Sequence, residues 1–463
     1  MKTGTAATTL RDTSSVRDLE ARFDRACDLL LGELAAGEAL SVEFSGEHST
    51  FMRFNGAKVR QIGEVDRALV EFKYYRDGKT IGSSIPLGGD KSEDTERTAR
   101  ALTRARREAA LLPEDPYQTL PGASGVSRER FTGTLPDPDR IPEEVLAPTK
   151  AIPDAGADFV GLHSQGPVCR GAANSLGARH WFSTETFSTD YSAHLPGGKA
   201  IKSCYAGRNW DGAEYRRRLE SERPKLEAMG KPEKALAPGG YRVYIAPDAL
   251  AEFMAFFSWN GLSERQMREG ESAWIALKDG RSSLSPRFGL TQDFGLGVQP
   301  RFNELGEVAP ERLSLIERGR LANTLVSART AKQYGIASNA APAGEFLRSG
   351  AIDPGDLAMD GVLDALGTGL YISNLHYLNW SDFDSARVTG MTRFACLWVE
   401  DGKIVAPIKD MRFDESLYRL WGDKLAAVTA ERSLVVETGS YFFRSLEGSL
   451  LPGMLADGFT LTL

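Results

Sequence analysis

The feature that most constrains the fold is a two-residue hydrophobic period broken by tight-turn dipeptides. From Leu40 to Leu87 apolar and polar residues alternate, and Asn55-Gly56 and Asp77-Gly78 separate the alternating runs. Alternation places one face of a strand against a core, and Asn-Gly and Asp-Gly favour the backbone of a two-residue hairpin loop. This stretch is therefore predicted to form an antiparallel meander.

Helical periodicity flanks the predicted meander. Residues 14–36 place apolar side chains at intervals of about 3.6 residues. Residues 90–112 begin acidic and end basic, which is the order that the helix dipole favours. Residues 1–112 are therefore predicted to form an α+β domain in the order helix, sheet, helix.

The middle of the chain is expected to contain a linker and a second β-rich domain. Eight of the 22 prolines fall between Pro113 and Pro153, and proline removes a backbone donor. We therefore expect residues 113–157 to form a linker or wrapping arm without persistent regular structure. Residues 158–235 are predicted to be a β-rich domain that ends in a charged helix, interrupted at Pro224.

The last part of the chain, residues 236–463, is predicted to be a larger α+β domain. Tyr241 to Ile245 is typical of a strand, and the helix that follows to Trp259 is apolar on nearly every side, so it must be buried. Hairpin signals recur at Arg318-Gly319 and Asp401-Gly402. The whole chain is thus predicted to be α+β and rich in antiparallel sheet.

Charge and composition exclude some function classes. Asp and Glu number 63 against 56 Lys and Arg, a formal net charge of −7, so there is no broad positive field for nucleic acid or an anionic membrane. The opening MKTGTAATTLRDTSS lacks the apolar run of a secretory signal, and no run of about eighteen uncharged apolar residues occurs. The four cysteines are far apart in sequence, which favours a reduced, cytoplasmic setting.

The residues alone do not define a convincing active centre. Five donors of the kind that zinc accepts lie close in sequence: His163, Cys169, His180, His194 and Cys204. Structural zinc sites usually include a pair two to four residues apart, and no such pair occurs among these five. An autonomous metallohydrolase that uses this cluster nevertheless stays an alternative.

Four C-terminal motifs, in a fixed order, carry a resemblance to a known family. They are YRVYIAPDALAEFM, LSLIERGRLANTLVSARTAKQYG, GTGLYISN and FACLWVEDGKIVAPI. Together they resemble the TldD/PmbA family, known in bacteria as a modulator of DNA gyrase and as a protease that matures a microcin. The resemblance covers most of the chain.

The resemblance implies a particular place in that family. Its two kinds of chain form a heterodimeric zinc protease with an enclosed active site, and the TldD-like kind carries HExxxH on the helix after the first strand of the C-terminal domain. The corresponding positions here are Ala255, Phe256 and Asn260. Alanine and phenylalanine have no lone pair for zinc, and an amide is a poor replacement for imidazole. The chain therefore resembles the PmbA-like (TldE) subunit, with no catalytic residue or metal of its own and with zinc expected in the partner.

This resemblance also implies partners and contact residues. The expected partners are a TldD-like zinc protease chain, or a second copy of this chain, and an unfolded peptide or peptide leader. Candidate peptide-lining residues are Leu370, Tyr371, Ile372, Ser373 and Asn374, and the residues expected in the core or at the subunit interface are Phe253, Phe256, Phe257 and Trp259. The alternative from another class is a stand-alone homodimeric peptide-binding or scaffold protein without protease activity.

Overall fold

The computed structural model describes residues 14–122, 125–151, 157–439 and 443–462. Most of the N-terminal stretch in which we looked for a secretory signal, residues 1–13, lies outside the described residues, as does Pro153 of the predicted linker. The described chain is α+β, with two largely antiparallel sheets and helices packed against them, as predicted.

Regular structure in the first half alternates between long strands and helices. The strands are β1 (Ala39–Asn55), β2 (Lys58–Arg76), β3 (Lys79–Pro86), β4 (Val126–Phe131), β5 (Asp158–Asn174), β6 (Arg179–His194) and β7 (Ala200–Gly207). The helices are α1 (Ser14–Gly32), α2 (Lys91–Ala109), α3 (Ile141–Leu146) and α4 (Gly212–Met229). Short 3-10 helices cover Pro138–Arg140 and Ala147–Ala151.

The second half has more and shorter elements. The strands are β8 (Gly239–Ile245), β9 (Leu290–Asp293), β10 (Arg312–Glu317), β11 (Arg320–Leu321), β12 (Ser349–Ile352), β13 (Gly369–Asp382), β14 (Arg387–Glu400), β15 (Lys403–Pro407), β16 (Arg412–Ser416), β17 (Leu425–Val436) and β18 (Gly448–Leu461). The helices are α5 (Pro247–Ser258), α6 (Glu264–Glu269), α7 (Ile275–Lys278), α8 (Ala328–Tyr334), α9 (Val362–Leu366) and α10 (Leu417–Leu420), with 3-10 helices at Phe294–Leu296 and Met359–Gly361.

The predicted meander is present as β1, β2 and β3, which pair antiparallel in sequence order. The second turn lies where it was predicted, because Asp77 and Gly78 both have positive φ. The first turn lies one residue later than predicted: the positive-φ pair is Gly56 and Ala57. A register shift between Arg53 and Phe54 lies next to this turn.

The first sheet continues beyond the meander into residues predicted as a separate central domain. Its strand order is β3-β2-β1-β5-β6-β4, with β7 paired to β6. Strand β1 pairs with β5 along most of its length, for example Val42 with Ala173. Helix α1 covers one face of this sheet, where Phe23 lies with its ring 5.7 Å from Trp181 and 5.6 Å from Phe44. The strands within residues 39–86 and 158–207 thus share one sheet, and Cys169, Ala173 and Trp181 belong to the same core as α1 and α2.

The proline-rich segment contains regular structure, contrary to expectation. Strand β4 pairs parallel with β6, and α3 follows it. The prolines bound these elements rather than interrupt them: Pro121 and Pro136 flank β4, and Pro142 lies in the first turn of α3, where a missing N–H costs nothing.

The predicted interruption of the charged helix at Pro224 was also wrong. Helix α4 runs without a break from Gly212 to Met229. A proline removes one helical hydrogen bond, and the packing of α4 outweighs that loss because Tyr215, Leu219 and Leu226 are buried in the core.

The second sheet closes on itself around part of its path. Strands β18, β16, β14, β13 and β8 follow one another in hydrogen-bonded order, and β8 pairs again with β18. The predicted hairpins at Arg318-Gly319 and Asp401-Gly402 join β10 to β11 and β14 to β15, with positive φ at all four residues. Helix α5 packs on β13 and β18. Within the described ranges, no helix has both the length and the apolar character needed to span a bilayer.

Candidate functional site

A cavity of about 600 Å³ opens over the exposed face of α5. Its walls come from elements that are distant in sequence, namely β6, β7, α5, the middle of β13 and the facing part of β14, and the residues around the β17–β18 connection. The cavity therefore lies where the first sheet meets the C-terminal domain.

The sequence of α5 decides which side chains face this cavity. Phe253, Phe256 and Phe257 are buried in the core of the C-terminal domain, while Glu252 and Ala255 on the opposite face are exposed. Helical spacing produces this division, since residues three and four apart share a face. Trp259 follows the helix, and its side chain is 48% exposed.

Ala255, Phe256 and Asn260, which occupy the positions of the HExxxH residues, do not provide side chains that fit a zinc ion. Ala255 contributes only a methyl group to the cavity wall. Phe256 is 2% exposed and packs edge-on against Trp380, with ring centroids 4.7 Å apart. The Nδ2 atom of Asn260 donates a hydrogen bond to the main-chain oxygen of Glu271 at 2.8 Å. Across the described ranges, no group of three His, Cys, Asp or Glu side chains is arranged to hold a metal ion.

Carboxylates converge on one side of the cavity. Asp190, Glu252 and Glu437 line it together with Lys202, and Lys202 Nζ lies 3.4 Å from Asp190 Oδ1. Partial desolvation within the cavity raises the pKa of Asp190 and of Glu252, and the charge of Glu437 raises both further. A positively charged group that entered here would relieve this repulsion.

A second acidic position lies at the start of α5. Ser203 Oγ donates a hydrogen bond to Asp248 Oδ2 at 3.4 Å. Burial, reinforced by the charge of Glu222, raises the pKa of Asp248 to about 7. Glu222 itself is paired with Lys225, whose Nζ lies 3.0 Å from Glu222 Oε1. Because Lys225 is paired with Glu222, its positive charge only partly offsets the burial of Asp248. The carboxyl group of Asp248 therefore has a pKa near neutral pH.

Cys204 also lines the cavity, but its thiol is not activated. Burial raises the pKa of Cys204 well above its usual value, and the charges of Asp248 and Asp190 raise it further. The thiolate is the nucleophilic form of cysteine, so this environment disfavours covalent catalysis.

The five candidate peptide-lining residues are divided between core and cavity. Leu370 and Ile372 are fully buried in the core, and Tyr371 lies below the ammonium of Lys225, 5.2 Å from Nζ to the ring centroid. Ser373 is 7% exposed and donates a hydrogen bond to Asn374 Oδ1 at 2.8 Å. Asn374 lines the cavity.

The histidines of the His and Cys cluster have other partners. His163 Nδ1 lies 2.8 Å from Thr189 Oγ1, and burial lowers its pKa to about 4. His180 Nδ1 lies 2.8 Å from Ser127 Oγ, and His194 Nε2 lies 2.9 Å from Ser192 Oγ. Each ring is thus held by a hydroxyl group of the first sheet.

Sequence reasoning missed most of the residues that line this cavity. Asp248 and Glu252 are four apart on α5, a spacing that marks one helix face and that could have drawn attention to them. Asp190 and Lys202 lie on the paired strands β6 and β7, whereas Glu437 follows β17 and reaches them only through the tertiary fold.

Comparison with known proteins identifies the C-terminal domain. Residues 238–462 match the family described as the PmbA/TldA metallopeptidase C-terminal domain. No curated protein matches the chain.

Solved structures share the fold over nearly the whole chain. TldE from Thermococcus kodakarensis is 16% identical with a TM-score of 0.75, and 97% of this chain and 100% of that chain are covered. Two proteins described as candidate modulators of DNA gyrase are similar at 15% identity. The one from Thermotoga maritima has a TM-score of 0.72 with 96% and 100% covered, and the one from Bacteroides thetaiotaomicron has 0.71 with 96% and 98% covered.

Proposed function

Because the chain belongs to the TldD/PmbA family, we propose that it is a PmbA/TldE-like, non-catalytic subunit of a zinc metallopeptidase that acts on unfolded peptides or peptide leaders. In this role it pairs with a TldD-like chain, which supplies the zinc and the chemistry. The four cysteines are free thiols, which supports a reducing cytoplasm as its setting.

One observation carries the proposal: the face of α5 that opens into the cavity presents a methyl group at Ala255 where the resemblance places a ligand. Neighbouring Phe256 lies in the core and Asn260 is bound to the main chain. Hydrolysis by a zinc enzyme needs imidazole or carboxylate ligands and a general base at the metal-bound water. The helix supplies neither at these positions.

The cavity supports a role in holding peptide. Strand β13 pairs with β8 only from Leu370 to Ile372, whereas its pairing with β14 continues to Asp382. Beyond Ile372 the β8 side of β13 borders the cavity at Asn374 and His376. An extended peptide can bind by adding main-chain hydrogen bonds to such an edge, and the carboxylates of the cavity favour basic side chains in it.

The proposal is tested by co-expression with an HExxxH-bearing relative from the same genome, followed by size-exclusion chromatography with light scattering. We expect a one-to-one complex that cleaves unfolded peptide, while the isolated chain does not. The matched control replaces the glutamate of the partner's HExxxH, which should abolish cleavage and leave the complex intact. A homodimer that ignores the relative would overturn the proposal and favour a stand-alone peptide-binding protein.

A further inference from the structure

A second cavity, of about 590 Å³, adjoins the first between the N-terminal sheet and the C-terminal domain. Arg348 and Glu447 line both cavities. The walls of the second cavity come from β1, β2 and β5 on one side and from residues 299–304, 342–348 and 443–447 on the other. In addition to the shared Arg348, two further arginines, Arg170 and Arg444, line the second cavity and not the first.

Arg348 is a buried cation that has no hydrogen-bonded carboxylate among the described residues. Its side chain is 7% exposed, and its Nη1 atom donates to the main-chain oxygens of Pro300 and Phe302 at 3.1 and 2.8 Å. Nη2 donates to the oxygen of Ala340 at 3.2 Å, and the guanidinium lies 4.7 Å from the ring centroid of Phe294. Among the described residues, Nε has no partner. Burial lowers the pKa of Arg348 to about 10, and the charge of Glu304 opposes this shift.

Arg444 is a second buried arginine of this cavity, and its guanidinium also donates to main-chain oxygens. It is 8% exposed, and its guanidinium donates to the main-chain oxygens of Thr186 and Gly166. Its Nε also lacks a partner in the part of the chain that the structure describes. Burial lowers its pKa to about 10, and although Glu47 opposes this shift, the charge of Arg170 adds to it. Arg170 lines the same cavity and donates to the oxygen of Cys169 at 2.9 Å.

Three acidic residues, Glu43, Glu304 and Glu447, also line this cavity. Burial, with the charge of Glu304, raises the pKa of Glu43 to about 7, and Lys73 opposes that shift. Glu304 accepts a hydrogen bond from the main-chain nitrogen of Ala343 at 2.7 Å. The carboxylate that faces Arg444, Glu47, accepts its main-chain N–H instead of its guanidinium. Among the described residues, the Nη atoms of Arg348 donate to four main-chain oxygens, so Arg348 would act on an added anion mainly through its charge. Each Nη atom of Arg444 makes one such bond and so keeps a hydrogen that an anion could accept.

We propose that the second cavity binds the carboxylate of a peptide, with Arg348 and Arg444 as the buried cations and Arg170 beside them. Guanidinium groups are the side chains best suited to bind carboxylate. The cavity is far larger than a free anion needs, and Pro300, Phe302 and Phe346 give it apolar walls that fit the rest of a peptide. The inference rests on the proposed role in peptide handling and names the part of the peptide that is held.

Isothermal titration of the full chain with short N-acetylated peptides tests this inference. One peptide has an apolar C-terminal residue and a free carboxylate, the second is its C-terminal amide, and the third is the amide with an internal glutamate. We expect the amide to bind about 10-fold more weakly than the free acid. If the third peptide binds as tightly as the free acid, the cavity binds a side-chain carboxylate. If it binds as weakly as the amide, the cavity binds the C-terminal carboxylate. Equal binding by all three, binding by none, or equal binding by inorganic phosphate overturns the inference.

Variants connect the binding to the residues. Arg348→Met should weaken the free acid about 10-fold, and Glu43→Gln should strengthen it because a repelling charge is removed. Arg60→Met, an exposed position on β2, is the control and should leave affinity unchanged. If circular dichroism shows that Arg348→Met does not fold, Arg170→Met and Glu43→Gln decide, and unchanged affinity in both overturns the inference.

These titrations use the isolated chain, so they give a result whether or not a TldD-like partner binds. If the heterodimer does not form but the isolated chain still binds the carboxylate peptide, the result would point to a stand-alone peptide-binding protein. Formation of the heterodimer without carboxylate binding would overturn only the present inference.

Discussion

The main-chain nitrogen of Arg444 donates a hydrogen bond to Glu47 Oε2 at 2.6 Å and so connects residues 397 positions apart in the chain. Glu47 lies on β1 of the first sheet and is 4% exposed, while Arg444 lies just before β18. The guanidinium of Arg444 binds the same sheet through the carbonyl groups of β5 and β6. This contact fixes the C-terminal domain against the N-terminal sheet, and Arg444 also lines the second cavity.

Replacing Glu47 with alanine should destabilise the protein. The change leaves a buried N–H without an acceptor and removes the negative charge between Arg170 and Arg444, so we expect a loss of about 2–4 kcal/mol in the free energy of unfolding. Urea unfolding measures it. Glu64→Ala, an exposed position on β2, is the control and should change stability by less than about 0.5 kcal/mol. Equal effects of the two variants would show that the contact does not matter.

Asp248→Asn should flatten the dependence of stability on pH. The carboxyl group has a pKa of about 7 in the folded protein against 3.8 ordinarily, so the folded state holds a proton that the unfolded state has lost. Stability is therefore lost as pH rises from about 4 to about 7, and asparagine removes this loss. At pH 7 the variant should gain about 3 kcal/mol relative to the parent, compared with their difference at pH 4, because the pKa shift is about three units. Parallel curves for the two proteins would contradict the assignment.

The same substitution should make Cys204 react faster. The charge of Asp248 is one of the causes that raise the pKa of this thiol. Mass-spectrometric mapping of iodoacetamide alkylation at about pH 8 should show a several-fold faster rate at Cys204 in Asp248→Asn. Cys27, Cys169 and Cys396 are buried and should stay unmodified in the native protein. Asp384→Asn, at an exposed position, is the control, and an unchanged Cys204 rate in Asp248→Asn would refute the coupling.

The aromatic residues of α5 should differ sharply in their contribution to stability. Phe257 is fully buried and stacks on Trp274 and Trp421, with centroids 4.9 and 5.4 Å apart. Phe257→Ala should cost about 3–5 kcal/mol. Trp259→Ala should cost about 1 kcal/mol or less, since half of this side chain is exposed. Thermal and urea unfolding of the isolated chain compare the two. A Trp259 variant as unstable as the Phe257 variant would place Trp259 in the core.

Local signals in the sequence predicted the elements better than their assembly. The turns at Asp77-Gly78, Arg318-Gly319 and Asp401-Gly402 were predicted because a two-residue loop is determined by its own residues. The pairing of β1 with β5 could not be predicted, because it joins strands more than 100 positions apart and each strand carries only its own alternation. At Pro224, burial of the rest of α4 outweighed a local helix-breaking signal.

The same limit applies to the candidate site. The position of Ala255 on a helix after a strand followed from the sequence, since α5 has clear start signals. The cavity did not follow from the sequence, because Glu252 on α5 and Glu437 after β17 meet the Asp190 and Lys202 hairpin of the first sheet only in the folded chain. The arginines of the second cavity are equally far apart in sequence.

The most direct test of the central claim is a peptidase assay on the purified chain alone, with and without a chelator, on an unfolded protein substrate. The account predicts no cleavage above the buffer control, no effect of the chelator, and cleavage only after a TldD-like partner is added. Cleavage by the isolated chain that a chelator abolishes and zinc restores would contradict the account, because the cavity face of α5 offers no ligand at Ala255.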